Sequence, residues 1–132
     1  MSMFHEKTES RARMIRIYLG QNDEWAGKPL YEAIVMRLRQ MDIAGATVYK
    51  GVMGYGARQR VHKTGFLGLS HDLPIVITVV DKEEKIQKVL PILDEMLSEG
   101  MLTLSDVEVI KYAHTHPDGI EFSLSPERPI KG

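Results

Sequence analysis

The segment IVITVV, residues 75–80, limits the fold more than any other part of the chain, because it is apolar on both of its alternating sets. In an extended strand the odd-numbered positions face one side of the sheet and the even-numbered positions face the other. Helices can cover one of these faces. The second apolar face also needs cover, and another copy of the chain is the simplest way to provide it. The run therefore predicts a buried strand from Pro74 to Val80 within a homo-oligomer.

The periodicity of the remaining segments predicts a β-α-β-β-α-β order. The predicted elements are a strand over Ala12–Leu19, a helix with Pro29 in its first position and Gly45 after its end, a strand over Ala46–Met53, the Pro74–Val80 strand, a helix that Asp81 and Glu84 cap and Gly100 ends, and a strand over Ser105–Tyr112. This order is typical of the α+β ferredoxin-like fold, a four-stranded antiparallel sheet with both helices on one face. The 132 residues fit a single domain, and residues 113–132 form a polar tail without a clear period.

Composition excludes several classes of function. A net charge of −1 argues against a nucleic-acid binder that works through bulk charge. The absence of cysteine excludes disulfides, thiolate zinc sites and a cysteine nucleophile. The first residues lack the apolar core of a signal peptide, and no segment approaches the roughly 18 apolar residues of a membrane span. We therefore expect a cytoplasmic protein.

The connection between the second and third predicted strands, from Gly54 to Asp72, is the best candidate for a functional site. It exceeds the roughly 12–15 residues beyond which unstructured connections become uncommon, and such loops are usually functional or disordered. Gly54 and Gly56 allow close backbone approach, so that consecutive amides can bind an anion while Arg58 and other cations supply charge. The pattern is neither a Walker loop nor a dinucleotide fingerprint, since Gln59 stands where the third glycine would be. A solvated, flexible hairpin with scattered positive charge is the alternative interpretation.

Three segments carry a resemblance to a known family: GKPLYEAIVMRLRQMDIAGATVYKGVMGYGA, LSHDLPIVITVVD and EGMLTLSDVEVIKY. In order and spacing they resemble the PII-like signalling proteins, including the second strand, the T-loop and the third strand of that superfamily. From about Arg13 to Tyr112 the chain more closely resembles one branch, the domain of unknown function 190 family.

The resemblance implies a homotrimer that binds an adenine nucleotide, AMP, ADP or ATP, in clefts between subunits and requires no other cofactor. It implies a sensor or adaptor without catalytic residues, which signals to a protein partner through the 54–72 loop. Whether this partner is a membrane transporter or an enzyme stays open. The resemblance assigns nucleotide binding to Gly54, Gly56, Arg58, Gln59, Leu73 and Pro74, and partner docking to Arg60, His62, Lys63 and Phe66.

The sequence departs from the PII pattern at one position. PII proteins carry a second phosphate loop, rich in glycine and lysine, between the second helix and the last strand. Here that position reads SEGMLTLSDVEV, with Gly100 and no lysine. The departure predicts a weaker hold on a triphosphate.

A trimeric metal-binding or ion-homeostasis protein of similar fold is the alternative function. The candidate ligands are His62, His71, His114 and His116. The HTH segment places alternate side chains on one strand face, but no third ligand accompanies it in sequence, so the pattern is weak evidence for a metal site.

Enzyme and RNA-binding functions find less support in the residues. His71 beside Asp72 resembles an acid–base pair, but no nucleophile or cofactor motif accompanies it. RNA binding on this kind of sheet needs aromatic residues on the central strands, and the third strand has none. Trp25 is predicted to pack at the start of the first helix, whereas Tyr49 and Tyr55 suit packing and stacking equally.

Overall fold

The computed structural model describes residues 5–55, 72–115 and 121–122. The elements in these ranges are β1 (His5–Gly20), β2 (Glu24–Trp25), β3 (Lys28–Pro29), α1 (Leu30–Gln40), β4 (Ala46–Lys50), β5 (Pro74–Asp81), α2 (Glu83–Met96), β6 (Met101–Thr115) and β7 (Glu121–Phe122). Neither helix of this described part is long and apolar enough to cross a membrane.

The main sheet is antiparallel and has the strand order β4-β5-β1-β6-β7. β1 lies at its centre, paired with β5 from Arg13 to Gly20 and with β6 from His5 to Tyr18. The predicted α+β ferredoxin-like fold is confirmed, with β1, β4, β5 and β6 as its four strands and α1 and α2 as its helices. β7 adds two residues at the β6 edge, and β2 and β3 form a separate two-stranded ribbon.

The two helices cover one face of the sheet. The side chains that are at most 1% exposed are Ile15, Ile17, Ile34, Ile75, Ile77, Val79, Ile86, Val89 and Leu93. Full burial of each such side chain contributes roughly 1.5–3 kcal/mol. The odd-numbered positions of β5 are therefore buried as predicted, whereas the even-numbered positions, Val76, Thr78 and Val80, stay half-buried on the other face of the single chain. We call that second face the open face.

β1 and β6 are longer than their sequence patterns predict. β1 begins at His5 and not at Ala12, and β6 spans Met101–Thr115 and not Ser105–Tyr112. Residues 6–12 pair with residues 107–113 and with no other described strand. These paired segments form a two-stranded ribbon beyond the end of β5, which we call the β1–β6 arm. β4 differs in the opposite direction, since it ends at Lys50, before the predicted Met53.

Both helix starts differ from the sequence prediction. Pro29 is the N-cap of α1, where it pairs with Glu24 in the ribbon, and is not the first helical residue. Lys82 is the N-cap of α2, and neither helix start, both of which are described, has a side-chain capping bond. The predicted capping box at Asp81 is therefore wrong. Asp81 is instead 8% exposed and accepts hydrogen bonds from the amides of Ala44 (2.9 Å) and Lys82 (2.7 Å). The bond from Ala44 joins the loop after α1 to the end of β5.

Candidate functional site

One end of the sheet collects segments of three connections. Gly20, the last residue of β1, pairs with Pro74, the first of β5, and Lys50, the last of β4, lies opposite Ile75. β6 begins at this same end, because Met101 pairs with a residue near the end of β1. We call it the loop end; its connections include residues 21–23, 51–55, 72–73 and 97–100.

Hydrogen bonds hold both limbs of the loop between β4 and β5, the second of them to residues 21–23. The amide of Gly51 donates to the carbonyl of Pro74 (2.7 Å), and the amide of Gln21 donates to the carbonyl of Leu73 (2.9 Å). The amide of Asn22 donates to Oδ1 of Asp72 (3.0 Å). Both ends of the 54–72 loop are therefore fixed where they meet the sheet.

Glycine allows the segment that leads from β4 into this loop, residues 51–55, to approach Pro74 closely. We call this segment the first limb of the loop. A Cβ atom added at Gly51 would lie 2.7 Å from Cγ of Pro74, and one at Gly54 would lie 3.1 Å from the same atom. A Cβ at Gly20 would lie 2.7 Å from Oδ1 of Asp72. Any larger residue would push the limb away from β5 or displace Asp72. The sequence predicted a role for Gly54 but not for Gly20 and Gly51. Their position, at the last residue of a strand or directly after one, could have indicated a close contact there.

The predicted site residues fall into two groups. Gly54, Leu73 and Pro74 come together at the loop end. The other residues predicted to bind nucleotide or partner, Gly56, Arg58, Gln59, Arg60, His62, Lys63 and Phe66, lie outside the described residues, and their roles stay predictions. His71 and His116 lie outside them as well. Within the described ranges, no group of three His, Cys, Asp or Glu residues is arranged to hold a metal ion.

Gly100 has a backbone role at this end. α2 ends at Met96 with Leu97 as its C-cap, so Gly100 does not terminate the helix as predicted. Gly100 has φ +114°, a conformation that favours glycine, and a Cβ there would lie 2.5 Å from the carbonyl oxygen of Tyr18. The turn into β6 therefore requires this glycine irrespective of any ligand.

The β2–β3 ribbon lies between the end of β1 and the start of α1. Trp25 is the cross-strand partner of Lys28, and the turn between them contains Ala26 at φ 52° and Gly27 at φ 81°. Trp25 is 40% exposed and lies outside the buried core, so more than half of its surface is covered, and its predicted packing at the start of the first helix stays a prediction.

Exposed apolar side chains occupy the first limb of the loop. Val52 is 93% exposed, Met53 71% and Tyr55 85%. Tyr49, at the preceding end of β4, is 55% exposed. A concentration of exposed apolar side chains suits contact with another chain or with a ligand.

The opposite end of the sheet, at the base of the β1–β6 arm, gathers charged side chains. Nη1 of Arg13 donates to Oε1 of Glu83 (3.2 Å). Nε of Arg13 lies 3.2 Å from Oδ1 of Asp106, but its N–H is not aimed at that oxygen, so the contact is an ion pair and not a hydrogen bond. A cavity of about 490 Å³ opens beside these residues, with two arginines and three carboxylates in its lining. This charge balance does not favour a phosphate.

The sequence profile of the DUF190 family, described as Uncharacterized ACR, COG1993, matches residues 12–109. The chain belongs to this family. The UPF0166 protein MJ1524 of Methanocaldococcus jannaschii is 40% identical over 102 residues, which cover 76% of this chain and 94% of that protein. A UPF0166 protein of Aquifex aeolicus is 33% identical over 102 residues, with the same coverage of both chains. The DUF190 match contains the whole loop end and leaves out most of the β1–β6 arm.

Solved structures of CPII, a nitrogen regulatory PII-like protein from Thiomonas intermedia K12, share the fold. CPII bound to ADP, AMP and bicarbonate aligns with a TM-score of 0.53 at 17% identity, covering 77% of this chain and 98% of that one. CPII bound to ADP and bicarbonate aligns with a TM-score of 0.50 at 17% identity, covering 77% and 91%. The family and the PII-like fold predicted from sequence are thereby confirmed.

Proposed function

We propose that this protein is a PII-like sensor or adaptor that binds an adenine nucleotide between subunits and signals to a protein partner through the 54–72 loop. The observation that carries the proposal is the fixed loop base, where Gly51 and Gly54 pack on Pro74 and Gln21 holds Leu73. Successive backbone amides near such a base suit an anion. Anion binding beside a long loop is a physical means of ordering it, and order–disorder transitions of this kind switch many signalling proteins.

The comparisons support the nucleotide class. The protein has the PII-like fold, and the similar CPII was solved with ADP and AMP. AMP, ADP and ATP are all candidates. The lone Gly100 favours a ligand with fewer phosphates, because each charge-assisted hydrogen bond contributes about 1.5–3 kcal/mol and the loss of two would cost ATP about a hundredfold or more in affinity.

We propose further that the protein is a homo-oligomer, and its resemblance to PII-like proteins implies a trimer. On the open face, the half-buried Val76 lies beside Tyr49 and Tyr18, its pairing partners on the two neighbouring strands. Such an apolar face requires cover. Light scattering should give about 45 kDa, three times the 15.0 kDa of one chain, and Val76→Asp should lower that mass. A monodisperse wild-type monomer would contradict this part of the proposal.

We also propose that the protein is cytoplasmic and has no catalytic activity of its own. Its role is then to report a ligand's presence to a partner.

Calorimetric titration with ATP, ADP and AMP, repeated with divalent metal ions, tests the nucleotide site. Gly56→Val should abolish binding by blocking backbone approach, and Arg58→Ala should weaken it about ten- to a hundredfold. Arg11→Ala is the matched control, because this arginine lies on the arm at the other end of the sheet. If no adenine nucleotide binds at millimolar concentration, or if Gly56→Val binds as wild type does, the loop is a docking arm without a ligand of its own.

A further inference from the structure

The β2–β3 ribbon holds an aromatic ring and a cation side by side on one exposed face. Trp25 and Lys28 pair across the ribbon, and both are exposed. Trp25 is 40% exposed, so part of its indole ring is available to a ligand. Glu24 and Pro29 form the neighbouring pair, which points to the opposite face. The ribbon's own carboxylate is therefore separated from Trp25.

Hydrogen bonds hold this ribbon beside the base of the 54–72 loop. The amide of Leu30 donates to the carbonyl of Asp23 (2.8 Å) and closes the ribbon. The amide of Asn22 donates to Oδ1 of Asp72 (3.0 Å) at the loop base. Asn22 and Trp25 are three positions apart in the chain, so their Cα atoms are at most about 11 Å apart. A ligand of mononucleotide size bound at the loop base is within reach of the indole.

The turn of the ribbon has the backbone conformation that two-residue hairpin loops favour. Ala26 has φ 52° and Gly27 follows at φ 81°, positive at both central residues. This turn places Trp25 directly opposite Lys28 on the same face of the ribbon.

We infer that Trp25 stacks on the base of the bound nucleotide and that Lys28 contacts its phosphate. This inference rests on the proposed function and assigns the residues that recognise the two ends of the ligand. Aromatic rings bind nucleobases through their faces, and a lysine ammonium binds phosphate as a point charge.

The fluorescence of Trp25 provides a direct test, because it is the only tryptophan of the chain. AMP and ADP should change its emission, whereas ribose 5-phosphate, which has no base, should not. By calorimetry, Trp25→Ala should weaken AMP binding about 5- to 100-fold, and Trp25→Phe, which keeps an aromatic face, should weaken it less. Lys28→Gln should weaken AMP binding more than adenosine binding. Met36→Ala, at an exposed position of α1, should bind AMP as wild type does.

Two results would overturn the inference and leave the proposed function intact. One is wild-type AMP binding without a change in Trp25 emission. The other is full affinity in Trp25→Ala while Tyr55→Ala loses affinity, because the base would then stack on the loop. If neither AMP nor ADP binds the wild type, the proposed function and this inference fail together. If circular dichroism shows that Trp25→Ala does not fold, the change in Trp25 emission and the AMP affinity of Trp25→Phe test the inference in its place.

Discussion

The two ends of the sheet are built on different physical principles. At the loop end, Gly51 and Gly100 bring segments closer together than any side chain would allow. At the arm end, Arg13 and Asp81 join neighbouring elements through ion pairs and hydrogen bonds. Steric exclusion therefore determines which residues fit at the loop end, whereas charged and hydrogen-bonded side chains provide much of the stabilisation at the arm end. We expect the loop end to respond to a single methyl group and the arm end to respond to charge and ionic strength.

Gly100→Ala should give the largest loss of stability. The unfavourable φ of +114° costs about 1–3 kcal/mol, and the added Cβ, 2.5 Å from the carbonyl oxygen of Tyr18, raises the total to at least about 3 kcal/mol because backbone cannot move aside cheaply. Urea unfolding at a fixed chain concentration measures this change. Gly45→Ala is the control, since a Cβ there meets no atom within 4 Å. Equal stability of the two variants would contradict the excluded-volume account.

Asp81→Ala should destabilise the arm end by about 1–3 kcal/mol, because the amide of Ala44 loses its partner in a mostly buried setting. Asp81→Asn keeps one oxygen that can accept a hydrogen bond, so it should lose less stability than Asp81→Ala. Asp94→Ala, which removes an exposed carboxylate on α2, is the control and should change the free energy of unfolding by about 0.5 kcal/mol or less. Equal losses in Asp81→Asn and Asp81→Ala would show that the charge, which both variants lack, and not the hydrogen bond to Ala44 is the main contribution.

Gly51→Ala should cost about 1–2 kcal/mol, through the 2.7 Å approach of the new Cβ to Cγ of Pro74. Pro74→Ala removes that Cγ atom, so the double variant should be more stable than the sum of the single changes predicts. A double-mutant cycle measures the coupling, which we expect to be about 1 kcal/mol. Strict additivity would mean that the two residues do not restrict each other.

Asp106→Asn should have the smallest effect, below about 1 kcal/mol, because the Asp106 side chain is 79% exposed and solvent screens its pairing with Arg13. Raising the salt concentration to about 1 M should remove most of this difference in unfolding free energy. The cost of Gly51→Ala should be the same at both salt concentrations. If salt changes the loss of unfolding free energy equally in Asp106→Asn and Gly51→Ala, the two ends of the sheet do not differ in their dependence on charge.

The sequence predicted those parts of the fold whose burial follows a regular period. Pro74–Val80 was located to within one residue of β5, because both of its alternating sets are apolar. The start of β1 could not be predicted. Residues 7–11, KTESR, are exposed on both faces of the arm, so the segment has no apolar set. Only its pairing with residues 108–112, far away in the chain, defines it as a strand.

The candidate site was predictable where it follows from connectivity. Gly54 and Pro74 lie near the two ends of one loop between paired strands, so their proximity is expected. Gly20 and Gly100 were not predicted as contact sites, because their partners, Asp72 and Tyr18, are distant in sequence and are brought close by the tertiary structure alone. Local periodicity contains no information about such contacts.

The central position of β1 has a consequence for synthesis of the protein. Its outer partner, β6, follows nearly the whole domain later in the chain, so at about 5–20 residues per second the ribosome needs roughly 5–20 s to supply it. During that interval one edge of β1 is bare and could pair with another nascent chain. The charged side chains of Lys7, Glu9 and Arg11 oppose such pairing, because charges along an exposed edge disfavour aggregation. The polar segment that conceals the start of β1 from sequence analysis thus disfavours wrong pairing along its own part of that edge.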